Sequence, residues 1–169
     1  TLHYESKLDR LTYVPLQVEA TQTDGIVMVK VRNFAQFGGA TTGRQDSYIF
    51  GRQFNGYEEN YLYVIDPSGN ITLTHEIIPE GNMPPWMPRI GLTMTLDSSL
   101  QLVDYYGRGP EENYPDRKTG YAVGIYKNTV DGMYEPYLQP QDHGLRMDNR
   151  RMALHNAEGQ GIAVSMDAL

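Results

Sequence analysis

Cysteine is absent from the 169 residues, which removes disulfide scaffolds, thiolate zinc sites and cysteine nucleophiles together. Tryptophan occurs once, at Trp86. No apolar stretch approaches the roughly 20 residues of a membrane helix, and the start (Thr1, Leu2, His3, Tyr4) lacks the charged and apolar regions of a signal peptide. A soluble protein with no membrane partner is expected. Basic residues are outnumbered by acidic ones, 14 to 21, for a formal charge of −7. No Lys/Arg run forms a stripe that could displace counterions from a phosphate backbone, so nucleic acid is not an expected partner. Length is lacking too: a (β/α)₈ barrel takes about 250 residues and cannot be complete here. The first residue is not methionine. The expectation is therefore a single domain, residues 1–169, cut from something longer.

What is plentiful is Gly (17), Pro (10) and Tyr (13), which punctuate the chain at the spacing of an all-β sandwich or barrel. Ile26 to Arg32 alternates Val27, Val29 and Val31 against Met28, Lys30 and Arg32, the period of a half-buried strand. Asn60–Ile65 and Asn70–Ile78 repeat that pattern, with Ile71, Leu73 and Ile77 on one face and Thr72, Thr74 and Glu76 on the other. Between them, Asp66-Pro67-Ser68-Gly69-Asn70 has turn chemistry, so the two runs predict a hairpin. Further strands are expected over Leu11–Glu19, Ser47–Phe50, Arg89–Leu96, Leu100–Tyr106, Tyr121–Tyr126, Arg151–His155 and Gly161–Met166. Helical periodicity with caps is not sustained anywhere. The irregular tracts are Gly107–Gly120 and Gln139–Arg151, long loops of the kind that carry function or cover a sheet edge.

Few residues form a chemical constellation. A glycosidase needs two facing carboxyl groups. Glu111, Glu112 and Asp116 are close in sequence, but nothing there supplies a facing partner. His3, His75, His143 and His155 are scattered without metal-ligand spacing. His75, beside Leu73 and Ile77 on the inward face of its strand, reads as a satisfied core histidine. There is no G-x-S-x-G nucleophile elbow. Gly38-Gly39-Ala40-Thr41-Thr42-Gly43 lacks the end of a P-loop and reads as a hairpin loop. The tyrosines and Trp86 could stack on sugars, although Tyr61, Tyr63, Tyr105 and Tyr106 fall in strand patterns that suit tyrosine without a ligand. Asn70-Ile71-Thr72 matches the N-glycosylation sequon, and its place at a turn explains it without a glycan.

Residues 87–151 change the reading. Pro88-Arg89-Ile90-Gly91-Leu92, the block from Tyr106 to Gly120 (Gly107-Arg108-Gly109-Pro110-Glu111-Glu112-Asn113-Tyr114-Pro115-Asp116-Arg117), Tyr134-Glu135-Pro136-Tyr137, and Pro140-Gln141-Asp142-His143-Gly144-Leu145-Arg146 follow in order. Together they closely resemble the C-terminal small-chain domain of bacterial LacZ-type β-galactosidases, glycoside hydrolase family 2. Leu11 to Ile78 fits the weaker strand pattern earlier in that domain. The resemblance implies an all-β, antiparallel β-supersandwich of the galactose-mutarotase-like kind, in a cytoplasmic or periplasmic bacterial protein.

For function, the resemblance implies that the catalytic glutamates, with the magnesium and sodium sites, belong to a separate barrel domain. This chain is then expected to be noncatalytic and without a cofactor of its own. Its partners would be the rest of the parent chain, a β-galactoside substrate in the full enzyme, and further copies of the parent in a homo-oligomer. Trp86 precedes the Pro88–Leu92 motif and does not match the family's pocket tryptophan. His143 stands where relatives more often carry Asn. Arg108, Glu111, Asp116 and Arg117 are of the types that form paired, bidentate contacts, and Asn113 and Asn149 suit the satisfaction of loop backbone groups. With Tyr114, His143 and Arg146 they are the expected loop-anchoring or pocket-bordering residues. Two other readings stand beside this one. One is an autonomous carbohydrate-binding module. The other is an aldose epimerase, a reading the fold class suggests, with His143 or His155 as acid.

Overall fold

The computed structural model describes residues 11–37, 55–81, 83–85, 87 and 89–166. Ser47–Phe50, the Gly38–Gly43 loop, His3 and Trp86 lie outside the described residues. The chain divides into two compact units, Thr1–Gly91 and Leu92–Leu169. Apart from a 3₁₀ turn at Asp131–Met133, the regular structure of the described residues is entirely β-strand, in two antiparallel sheets. This is the all-β class that the alternation predicts.

In the first unit, β1 (Thr12–Thr23), β2 (Ile26–Gln36), β3 (Gly56–Ile65) and β4 (Ile71–Glu80) form a meander in that order. Asp24 (φ 51°) and Gly25 (φ 80°) turn β1 into β2; the Asp-Gly pair suits this because both turn positions need positive φ. The predicted β3–β4 hairpin is present. Asp66 Oδ1 accepts from the Ser68 and Asn70 amides at 2.8 and 3.0 Å, and Gly69 takes φ 88°. These bonds, with the Ser68 hydroxyl foremost, hold the Asp66 carboxyl down to about 2. Asn70, the sequon residue, donates its amide to Asp66 at 2.9 Å and to Ser68 at 2.8 Å, so its side chain has a turn-locking role.

Register puts Val29 opposite Tyr63 and Tyr63 opposite Leu73, and it aligns Val31, Tyr61 and His75 in the next row. One face of this sheet is thus largely apolar, as the period of two requires. Burial is greatest where β2 ends and β3 begins, at Phe34, Ala35 and Tyr57. There Arg32 forks onto Glu58 with two bonds of 3.0 Å. His75 departs from expectation. It is half-buried and stacks on Tyr61 at 4.4 Å, but its Nε2 is buried without a hydrogen-bond partner. The imidazole is held by ring packing, with the Glu59 carboxylate 4.0 Å from its Nε2.

In the second unit, β5 (Leu102–Gly109), β6 (Ala122–Thr129), β7 (Arg151–His155) and β8 (Gly161–Ser165) form a sheet of order β6-β5-β7-β8. Central β5 carries the buried Val103 and Tyr105. Tight hairpin chemistry joins β7 to β8, with Asn156 N–H on the Gln160 carbonyl at 2.9 Å. The long connections are residues 110–121 between β5 and β6, and residues 130–150 between β6 and β7.

Arg89–Leu96 is not a strand. Its alternation is real, yet Ile90, Leu92 and Met94 are 55, 55 and 65% exposed, and no described strand pairs with it. Alternation specifies a strand only when a neighbour receives the backbone groups.

Candidate functional site

The two long connections of the second unit are stitched into one body, and the sequence shows how. Gly107 and Gly109 on β5 leave room that a side chain would fill. A Cβ on Gly107 would overlap the Asn149 amide and lie 3.0 Å from the Asn149 Cα, and one on Gly109 would overlap the Tyr105 hydroxyl. Through the gap at Gly107 the 145–149 segment closes onto β5. The Arg108 amide donates to the Met147 carbonyl at 2.9 Å and the Arg150 amide to the Tyr106 carbonyl at 2.8 Å.

Asn113 is the innermost member, with 0% exposure. Its amide nitrogen donates to the carbonyls of Arg108 and Glu111, both at 3.1 Å. Its side-chain oxygen accepts from the Met147 amide at 2.8 Å, and its own N–H reaches the Leu145 carbonyl at 2.8 Å. One asparagine therefore ties both connections to the end of β5, which only a side chain with both donor and acceptor can do.

Glu112 is the charged hub, 3% exposed. Its Oε2 accepts from the Gly144 amide at 2.8 Å; its Oε1 accepts from Arg117 and from the Tyr137 hydroxyl in two very short bonds. Gly144 sits at φ 83°, a conformation glycine takes readily. Burial pushes the Glu112 carboxyl up. The Tyr137, Gly144 and Arg117 donors outweigh this and hold it below the usual carboxylate range. Arg117, bonded to Tyr137 at 3.1 Å as well as to Glu112, is raised above its ordinary value by those two partners, and its guanidinium lies 5.1 Å over the Tyr114 ring.

A second ion cluster closes the other side. Arg108 Nε donates to Asp148 Oδ2 at 2.5 Å and its Nη1 to the Tyr121 carbonyl at 2.7 Å; Lys118 reaches Asp148 Oδ1 at 3.3 Å. Arg108 leads the causes that hold Asp148 below its ordinary value. Arg146, 7% exposed, donates from Nε to the Pro110 carbonyl at 3.2 Å, which also accepts from Tyr105 at 3.0 Å.

Of the residues singled out in the sequence, the structure brings together Arg108, Asn113, Tyr114, Arg117 and Arg146. Glu111 and Asp116 are exposed. Glu111 contributes its backbone carbonyl alone, and Asp116 sits in the turn closed by the Arg117 amide on the Tyr114 carbonyl at 2.9 Å. The acids that pair with the two arginines are Glu112 and Asp148. His143 is exposed and meets Tyr134 edge-on at 5.0 Å. His155 Nδ1 lies 2.9 Å from the Asn156 carbonyl, and its Nε2 faces Asp104 at 3.6 Å. Glu112, ionised and saturated by donors, is placed to hold structure. A shallow depression of about 300 Å³ beside the β7–β8 hairpin is lined by Ala153, Leu154, His155, Gly159, Gly161, Ile162 and Ala163, with no carboxylate. Among the described residues, no group of three or more His, Asp or Glu is arranged to hold a metal ion.

Comparison with known proteins agrees with the motifs. The chain is 37% identical over 112 residues to a beta-galactosidase of Pseudoalteromonas haloplanktis, 64% of this chain and 11% of that protein. It is 41% identical over 92 residues to a beta-galactosidase of Vibrio cholerae, 54% of this chain and 9% of that one. For the Priestia megaterium beta-galactosidase the figures are 34% over 102 residues, 60% and 10%. The matched segment thus spans about a tenth of each relative's length. A family model described as "Beta galactosidase small chain" matches residues 4–169, and the chain accordingly belongs to the beta-galactosidase small-chain family.

Proposed function

We propose that this chain is the noncatalytic small-chain part of a β-galactosidase. It acts in the hydrolysis of terminal β-D-galactosyl residues only within a longer polypeptide, whose barrel domain supplies the catalytic glutamates. Magnesium and sodium, which the family resemblance implies for the parent, are assigned to that barrel, as is the β-galactoside substrate. The role of this chain is to present the 110–121 and 130–150 connections in a fixed shape that buttresses the active site.

The observation that carries the reading is the Glu112 clamp. A carboxylate 3% exposed has its donors drawn from three separate places in the chain, Arg117, Tyr137 and Gly144. Such an arrangement is an anchor, because charge-assisted bonds fix geometry as well as contribute energy. It is poorly suited to proton donation, which calls for a carboxyl with a raised pKa.

Arg117→Ala in the intact enzyme tests the buttressing role. The expected result is a lower melting temperature with activity falling in parallel. An unchanged melting temperature with lost activity would instead place Arg117 at the sugar pocket. Calorimetry of this chain with galactose and lactose is expected to show no binding; measurable heat with either sugar would favour an autonomous carbohydrate-binding module.

A further inference from the structure

We propose that the 138–143 loop is a preformed anchor, whose Leu138 side chain seats in an apolar pocket on the remainder of the parent polypeptide. The inference rests on the reading of this chain as one segment of a longer β-galactosidase, and it names the point at which the buttress makes contact.

The loop, Leu-Gln-Pro-Gln-Asp-His, leaves and re-enters the body at one carboxylate. Just before it, the Tyr137 hydroxyl donates to Glu112 Oε1. Just after it, the Gly144 amide donates to Glu112 Oε2 at 2.8 Å. Both ends are thus tied to the two oxygens of a single side chain, itself 3% exposed. Pro136 and Pro140 stand two residues to either side of Leu138. Each has its φ fixed by the ring, so the segment has less backbone freedom to lose on docking.

Leu138 is 106% exposed, so nothing else in the chain covers it. A single exposed leucine means little by itself. This one differs because it is held out. An untethered loop can fold its leucine back onto the nearest apolar surface, whereas a loop tied at both ends cannot. The surroundings suit entry into a pocket. Residues 138–141 carry no charge, and the shoulder of the loop is aromatic, with His143 meeting the 61% exposed Tyr134 edge-on at 5.0 Å. The centres of protein interfaces are depleted of charge and enriched in aromatic side chains.

The size of the loop selects its receptor. So short a segment falls well below the roughly 1,200 Å² that a stable complex of free partners buries. A pocket in the same polypeptide needs no such area, because tethering supplies the effective concentration that affinity would otherwise have to provide. Surface for such a pocket is abundant, since the matched segment is 9 to 11% of the length of the relatives.

Thiol labelling tests the anchor, and this chain contributes no cysteine of its own to the background. Leu138→Cys is introduced in the intact polypeptide, and its alkylation by iodoacetamide is followed by mass on the peptide that carries residue 138. The native rate is expected to lie at least about 100-fold below the rate in urea; a smaller slowing would overturn the proposal. So would protection that vanishes on dilution, which would assign Leu138 to a contact with a second copy. Thermal inactivation of the intact enzyme gives a second reading. Leu138→Met, which keeps the apolar bulk, is expected to leave the inactivation temperature unchanged, and Leu138→Asp to lower it by several degrees. Equal temperatures for the two variants would also overturn the anchor. Labelling reads residue 138 whatever domains accompany it, so its failure is distinct from a failure of the β-galactosidase reading, which would appear as a parent without a catalytic barrel.

Discussion

Replacing Asn113 by aspartate changes one NH₂ to an oxygen and almost nothing in volume, and the structure says what that exchange costs. The amide nitrogen faces two carbonyls, Arg108 and Glu111, each at 3.1 Å, in a site with 0% exposure. Its orientation is forced, because the opposite oxygen must receive the Met147 N–H. In Asn113→Asp the acceptor to Met147 survives, and the donor becomes a third oxygen facing two others. A buried carboxylate so placed neutralises rather than ionises, so its folded pKa rises above the unfolded value of about 3.9. Protonated, it donates to one carbonyl and orphans the other, at a cost of about 1–2 kcal/mol.

The sign of the pH dependence follows. A carboxyl whose folded pKa is raised costs nothing extra below about pH 3.9, and the penalty then grows by about 1.4 kcal/mol per pH unit until the folded pKa is reached. The gap to the wild type should therefore widen from about 1–2 kcal/mol near pH 4 by about 1.4 kcal/mol for each pH unit up to the folded pKa, a large share of a typical domain's 5–15 kcal/mol. Asn113→Ala, which orphans the same backbone groups without a titrating replacement, should cost about 2–4 kcal/mol at every pH. Urea unfolding followed by circular dichroism at about pH 4.5, 6 and 7.5 measures both, each taken as a difference from the wild type so that other titrations cancel. A gap for Asn113→Asp that stays flat within about 0.5 kcal/mol over that range would refute the assignment of Asn113 as a buried donor to two carbonyls.

Glu112→Gln should cost about 1–3 kcal/mol at neutral pH by removing the charge from three bonds. Because the Glu112 pKa is depressed in the fold, that contribution is present above the unfolded value of about 4.3 and is lost as pH falls through the folded one; unfolding curves of wild type and variant should converge as the pH falls below the folded value. Gly107→Ala drives a Cβ into the Asn149 amide and to within 3.0 Å of its Cα. Thermal unfolding should register a loss of about 1–3 kcal/mol from overpacking, and a neutral result would mean that the 145–149 segment does not press on β5.

The strands were legible because period-two alternation and turn chemistry are local properties. Arg151–His155 coincides with its expected bounds, and the Asp66–Asn70 turn joins the two strands it was expected to join. The Asp24-Gly25 turn is equally legible as an Asp-Gly pair between strand patterns. The pairing of the arginines was not legible. Glu111 and Glu112 are adjacent and chemically identical, and nothing nearby says which turns inward. What separates them is the Tyr137 hydroxyl and the Gly144 amide, 25 and 32 positions further along, and only the folded chain brings those donors to one carboxylate. Asp148 stayed hidden for the same reason, 40 positions from Arg108. Arg89–Leu96 failed in the opposite direction: the pattern is that of a strand, and the partner that would make it one is not among the described residues.

Two kinds of anchor hold the connections, and they respond differently to the solvent. The Arg108–Asp148–Lys118 cluster lies at the rim, with side chains 25, 29 and 37% exposed, where an ion pair is worth about 0–1 kcal/mol and is screened by salt. Asn113 is neutral and wholly buried, so its four hydrogen bonds are indifferent to ionic strength. Glu112 combines the two, with a buried carboxylate whose cation, Arg117, has a side chain 46% exposed. High salt should therefore loosen the rim and leave the inner stitch intact. The shape of the two connections then depends chiefly on backbone groups that the Asn113 and Glu112 side chains satisfy, and the arginines of the motif serve more to fix the direction of the loops than to supply the energy that holds them.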